Sequence, residues 1–201
     1  MQEIITHITN SYTPLCILIY GSYADGTYNA HSDFDCAIIV ASKSISHDTS
    51  FVAEMQLDLF IHTLDEVSNI TDYADFAHLH DAIIIKDYNN VAMRLKNGAA
   101  DHVLNNSAKT DQEKESLKSW LVKMLKRSEN RDTEGLFRYH WLLTDSLEIY
   151  FSLRDKFYFG PKKSIKYLED TDISAYNLYG EALKSMEHRL LKDWIDYVIA
   201  V

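Results

Sequence analysis

Two cysteines, two prolines and six glycines in 201 residues leave the chain little with which to staple or interrupt itself. Cys16 and Cys36 both lie inside apolar runs, where cysteine behaves as a small core residue. Neither a disulfide framework nor a cysteine metal site is expected, and a reducing cytoplasm suits the chain. No apolar run reaches the roughly 18 residues of a membrane span. The opening MQEIITHITNSY lacks the basic start and continuous apolar stretch of a secretory signal. It reads as a short amphipathic helix with Ile4, Ile5 and Ile8 on one face. Positive charge is scarce as well: 20 lysines and arginines stand against 30 acids, a net charge of −10. Proteins that track nucleic acid present a basic surface, so neither nucleic acid nor a membrane is expected as a partner. A small anionic substrate held through a metal remains compatible with that charge.

The rest is ordinary for a soluble globular protein, with 46% hydrophobic and 25% charged residues. LCILIY (15–20) and FDCAIIV (34–40) read as buried strands. Ser42 to Ser50 reads as a polar loop. MQLDLFIH (55–62) alternates, with Leu57, Leu59 and Ile61 facing one way and Gln56, Asp58, Phe60 and His62 the other. A helical pattern begins at Leu64-Asp65-Glu66, AIIIK (82–86) is a fourth strand, and a helix follows through Val91 and Leu95. Beyond Asn105 strand signals cease. Thr110 with Glu113 makes a capping box, and helices are expected over 112–127, 133–157, 161–169 and 174–198. Gly160-Pro161 marks one of the helix starts. The layout is α+β: an α/β domain with a mixed sheet over 1–106, then a helical bundle over 107–201.

The chemistry concentrates in GSYADGTYNAHSDFD (21–35). Gly21 allows a close backbone approach. Ser22 adds a hydroxyl at a turn whose free N–H groups suit phosphate. Gly26 permits a second bend, and Ser32 precedes Asp33 and Asp35. Residues i and i+2 of a strand share a face about 6–7 Å apart, so the two carboxylates repel unless a cation lies between them. Hard oxygen ligands suit Mg²⁺ or Mn²⁺. Asp58, an acid in an otherwise apolar strand, is the third candidate ligand. In a sheet packed on both faces it would be costly without a partner. Taken singly, Asp33 and Asp35 also fit turn or cap residues.

Gly21-Ser22, Gly26, Ser32-Asp33-x-Asp35 and a later strand bearing Asp58 together resemble the nucleotidyltransferase superfamily typified by DNA polymerase beta. The resemblance implies that Gly21 and Ser22 hold the phosphates of a nucleoside triphosphate, ATP in the first instance. It implies that Asp33, Asp35 and Asp58 bind the metals, with Asp58 assisting deprotonation of an acceptor hydroxyl. The length and the helical half, with FRYHWLLTDSLEIYF and FYFGPKKSIKYL, resemble the kanamycin- and lincosamide-nucleotidyltransferase branch. In that branch a helical domain lines the pocket of a small hydroxyl-bearing acceptor and a homodimer builds the site.

Within the helical half, Asp145 lies one turn from both Trp141 and Ile149. An acid in an apolar, aromatic setting is suited to act as a general base. Glu148 is the second candidate. A carboxylate at the helix rim, or one paired with Arg138 or Lys156, is the plainer alternative. Lys162, Lys163 and Lys166 near a helix start could meet phosphate, though a solvated face explains them. Tyr139, Trp141, Tyr150, Phe157, Tyr158 and Phe159 could stack on a ring or fill a core. The nine histidines show no ligand spacing; His78 and His80 lack a third partner, and loop exposure explains His31. An antitoxin-type nucleotidyltransferase that modifies a protein partner is the second functional reading. Asp25, where many such proteins carry a basic residue, and the long helical half argue against it. A degenerate binding module ranks last, because all three acids are present.

Overall fold

The computed structural model describes residues 1–130 and 132–201, which divide into two compact units, Met1–Val103 and Leu104–Val201. The first holds the strands β1 (Cys16–Ile19), β2 (Phe34–Val40), β3 (His47–Asp48), β4 (Phe51–Val52), β5 (Met55–Thr63) and β6 (Ile83–Lys86). They form one mixed sheet in the order β3-β5-β2-β1-β6, with β4 added to β5. β2 and β5 are parallel and the other pairs antiparallel. Alternation along each strand sorts side chains onto two faces. On one face Ile17, Ile19, Phe34, Cys36, Ile38, Leu57, Leu59 and Ile61 pack under Ile4 and Ile8 of helix α1 (Gln2–Tyr12). On the other, Leu18, Tyr20, Ala37 and Ile39 pack with Val91, Leu95 and Ala99 of helix α4 (Val91–Asn105). Two short helices, α2 (Ser22–Asp25) and α3 (Leu64–Ser68), and a 3₁₀ turn over Ala74–Leu79 complete the unit. Both cysteines are buried and free.

The polar segment 42–50 is not wholly a loop. Its end forms β3, which pairs antiparallel with β5, and a two-residue strand is too short to leave a periodicity. Between β4 and β5 the chain turns through Ala53 and Glu54, both at positive φ (50° and 64°). A two-residue hairpin turn of that hand favours Asn-Gly, and a non-glycine left-handed residue costs about 1–2 kcal/mol. Glu54→Gly is therefore expected to stabilise the protein by about 1 kcal/mol. A higher urea midpoint at unchanged slope is the readout, and a lower midpoint would count against a strained turn.

The second unit contains α5 (Asp111–Arg127), α6 (Thr133–Leu153), α7 (Pro161–Thr171), α8 (Ile173–Lys184) and α9 (His188–Ile199). The Thr110–Glu113 capping box opens α5. Trp194, fully buried, packs against the rings of Tyr150 and Tyr179 and donates its indole N–H to Ser146 Oγ at 2.8 Å. Two helix boundaries differ from expectation. α6 stops at Leu153 rather than Phe157, because Asp155 takes a positive φ of 53° and accepts hydrogen bonds from Lys109 N–H and Lys114. The helix expected over 174–198 is two, broken at Ser185, whose backbone is extended. There the buried Tyr139 hydroxyl donates to the carbonyls of Ala182 and Ser185, at 3.2 and 2.7 Å. That takes up helix-end acceptors and lets α9 turn back to bury Trp194. Among the described residues no helix is long and apolar enough to cross a membrane.

Candidate metal and nucleotide site

The three acids meet because of strand register. β2 and β5 run parallel with Asp35 beside Asp58, and neighbouring strands lie about 4.8 Å apart with facing residues on the same side. Asp33 precedes Asp35 by two and falls on that side as well. One ligand oxygen from each of Asp33, Asp35 and Asp58 lies within 4.8 Å of the others. Asp33 is exposed, and Asp35 and Asp58 are half-buried. The face of β5 that carries Asp58 is not fully covered. Phe60, on Asp58's face, is 36% exposed, so that face is partly open to solvent and Asp58 bears no full burial cost.

The field of the acids is felt by their neighbours. Burial, then Asp58 and Asp35, push the Tyr20 phenol far above its ordinary value. Burial and Asp35 push the Cys36 thiol up to about 12. Both side chains therefore stay neutral beside the carboxylates. Three hard anionic oxygens at this spacing are a donor set that fits Mg²⁺ or Mn²⁺.

Gly21 closes the site from β1. It follows Tyr20, whose N–H donates to the Asp35 carbonyl at 3.2 Å. Its φ of 64° and ψ of −149° belong to glycine, and a Cβ built there would lie 2.1 Å from Asp35 Oδ2. Ser22 then opens α2. It is 5% exposed, and its Oγ is the buried side-chain oxygen among the described residues that has no hydrogen-bond partner. A buried hydroxyl without a partner asks for an explanation, and an oxygen-rich ligand at this turn would supply one. Ser32 has a local duty: its Oγ accepts the Asn29 N–H at 3.0 Å and its N–H donates to the Asn29 carbonyl, closing the loop ahead of Asp33. Its own hydroxyl proton is left to donate.

One neighbour escaped the sequence. His47 Nε2 lies 2.6 Å from Asp58 Oδ1. Only β3 pairing brings it there, and β3 carries no pattern of its own.

In the helical unit, Asp145 is half-buried and Glu148 exposed. With Lys109, Leu117, Trp120, Ile149 and Ser152 they line an open hollow of about 380 Å³. Asp145 is thus at a mixed rim rather than in a wholly apolar, aromatic setting, and Trp141, 39% exposed, turns its ring to the edge of Trp120. Both acids raise the Tyr158 phenol, after its burial. Tyr139 and Tyr150 belong to the core. Lys166 is engaged by Glu169 and Asp170 on a solvated face.

Residues 2–97 match the family described as "Polymerase beta, Nucleotidyltransferase". Among solved structures, a nucleotidyltransferase-like protein from Exiguobacterium sibiricum 255-15 is similar at 12% identity and a TM-score of 0.46, over 98% of this chain and 73% of the other. No curated protein matches.

Proposed function

We propose, from the match of residues 2–97 to the polymerase beta nucleotidyltransferase family, that the protein transfers a nucleoside monophosphate, AMP from ATP, to a hydroxyl of a small molecule and releases pyrophosphate. The observation that carries this reading is the convergence of three carboxylates within 4.8 Å beside the Gly21-Ser22 turn. Asp33, Asp35 and Asp58 would hold Mg²⁺ or Mn²⁺, which when bound neutralises the triphosphate and favours attack by an activated hydroxyl. Gly21, lacking a Cβ, lets the backbone come close to the phosphates. Ser22 Oγ would donate to a phosphate oxygen, and the Ser32 hydroxyl would be a second donor. Asp58 would assist deprotonation of the acceptor hydroxyl.

The hollow of the helical unit is proposed as the acceptor's binding surface. Its carboxylates, Asp145 and Glu148, and the indole of Trp120 suit a polar molecule with amino groups and a ring face. Asp145 remains the candidate general base of this unit, with Glu148 as the second. Asp145→Asn is expected to lower kcat by about 10²-fold, at the lower end of general-base effects, while the KM for the triphosphate stays constant. A raised acceptor KM at unchanged kcat would make Asp145 a binding residue instead.

The reading is tested by incubating the protein with each nucleoside triphosphate, Mg²⁺ and a panel of aminoglycosides, lincosamides and metabolite extract. A mass gain of one nucleoside monophosphate on a small molecule is the expected result. Modification of a co-purified protein would move the assignment to the antitoxin-type reading. No transfer to anything, with Asp33→Asn/Asp35→Asn protein binding nucleotide like the wild type, would overturn the enzyme reading.

A further inference from the structure

We infer that His47 is a positioning residue for the metal site: by hydrogen-bonding one oxygen of Asp58 it holds that carboxylate in the orientation that completes the cluster with Asp33 and Asp35. The inference rests on the reading of those three acids as metal ligands.

Its placement follows from strand pairing. β3 is antiparallel to β5 with His47 opposite Phe60 and Asp48 opposite Leu59. Directly opposed residues share a face, so His47 lies on the face of Phe60 and of Asp58, two residues earlier. The imidazole stacks on the Phe60 ring, centroids 4.4 Å apart and planes within 18°. Diagonal neighbours across an antiparallel pair are within reach of long or aromatic side chains, and Nε2 meets Asp58 Oδ1 at 2.6 Å.

The short strand that carries His47 is fastened on both sides. Ile61 N–H donates to the Ser46 carbonyl and Leu57 N–H to the Ser50 carbonyl, each at 2.9 Å. Asp48 accepts the Tyr12 hydroxyl of α1 at 2.5 Å and the Ser50 N–H at 2.8 Å. Burial opposes the Asp48 charge, but the bonds from Tyr12 and Ser50, with the charge of His7, outweigh it and keep its carboxyl below the ordinary value. Burial, then the same contact, pushes the Tyr12 phenol up to about 12, so it remains a donor. The ring is therefore set in place by anchors that do not involve the three acids.

Asp58 needs such a hold. Its side chain is 31% exposed, and two like charges lie within 4.8 Å of it. Coulomb repulsion at that spacing favours a rotamer turned out to water. A donor on Oδ1 opposes that rotation and leaves Oδ2 for the cluster. Outer partners of metal ligands contribute about 10- to 100-fold in metal affinity. A plain surface ion pair, by contrast, contributes little to stability and nothing to metal affinity.

Two substitutions separate the roles. His47→Phe keeps a ring on Phe60 but cannot donate. His47→Gln can place an amide N–H near the position of Nε2. Mn²⁺ binding to the nucleotide-free protein, followed by electron paramagnetic resonance, is expected to weaken about 10-fold or more in His47→Phe and to stay within about threefold of wild type in His47→Gln. Circular dichroism melts establish that both variants are folded. Wild-type affinity in a folded His47→Phe, or equal loss in both variants, overturns the positioning role. Failure of the wild type itself to bind Mn²⁺, or undiminished binding by Asp33→Asn/Asp35→Asn, overturns the metal site and this inference with it.

Discussion

Asp33→Asn and Asp35→Asn are each expected to reduce nucleotidyl transfer by at least about a thousandfold, the scale of losing a preorganised charge at a reacting centre, while the metal-free protein keeps its fold. The two halves of this result have one cause. The carboxylates of Asp33, Asp35 and Asp58 approach within 4.8 Å, an arrangement that repels itself in the absence of a cation. An amide in place of Asp33, at the exposed end of the cluster, removes repulsion and one negative ligand together. Its melting temperature without metal is expected to be no lower than that of the wild type, whereas the stabilisation on adding Mg²⁺ or Mn²⁺ should shrink, because that gain is binding free energy. Transfer assays and metal-dependent melting curves on the same preparations check both. Asp33→Asn protein that melts well below wild type in the absence of metal would show that the acid serves the fold, for instance as a cap for β2.

Gly21→Ala is the second large effect, with a control built into the same loop. Gly21 combines a φ of 64° and ψ of −149° with a contact that leaves no room: a Cβ would fall 2.1 Å from Asp35 Oδ2 and 2.7 Å from its Cγ. Alanine there meets backbone strain of about 1–3 kcal/mol and drives the Asp35 carboxylate out of register with Asp58. Loss of about 2–3 kcal/mol of stability and of activity by about 10²-fold or more is expected. Gly26 also has a positive φ, 79°, but a Cβ there has nothing within 4 Å. Gly26→Ala should cost only the left-handed strain, about 1 kcal/mol, and retain most activity. Chemical denaturation and transfer rates of the pair are the measurement. Equal activity losses in the two variants would mean that loop conformation, rather than the contact with Asp35, sets the site.

The elements of this protein were not equally legible. β2 and β5 could be read almost to the residue, because runs such as FDCAIIV and the alternation of MQLDLFIH carry their burial pattern in their own side chains. The capping box at Thr110 and Glu113 was readable for the same reason: both partners lie within one turn. The C-terminal end of α6 and the break between α8 and α9 were not, since both depend on groups far along the chain. Asp155 answers to Lys109 and Lys114, and the carbonyls around Ser185 answer to Tyr139.

The candidate site divides along the same line. The sequence by itself determined the chemistry: which acids are present, that Asp33 and Asp35 share a face, and that a glycine-serine turn stands next to them, because these are properties of spacing within a few residues. Only the tertiary structure decided how the site is assembled. The parallel register of β2 and β5 sets Asp58 beside Asp35, the absent Cβ of Gly21 makes room for that carboxylate, and the pairing of a two-residue strand brings His47 onto Asp58. Each of these is a contact between segments remote in sequence. Such contacts exist only once the apolar faces of the strands have packed under α1 and α4, and packing of that kind leaves no periodic mark at the residues it brings together.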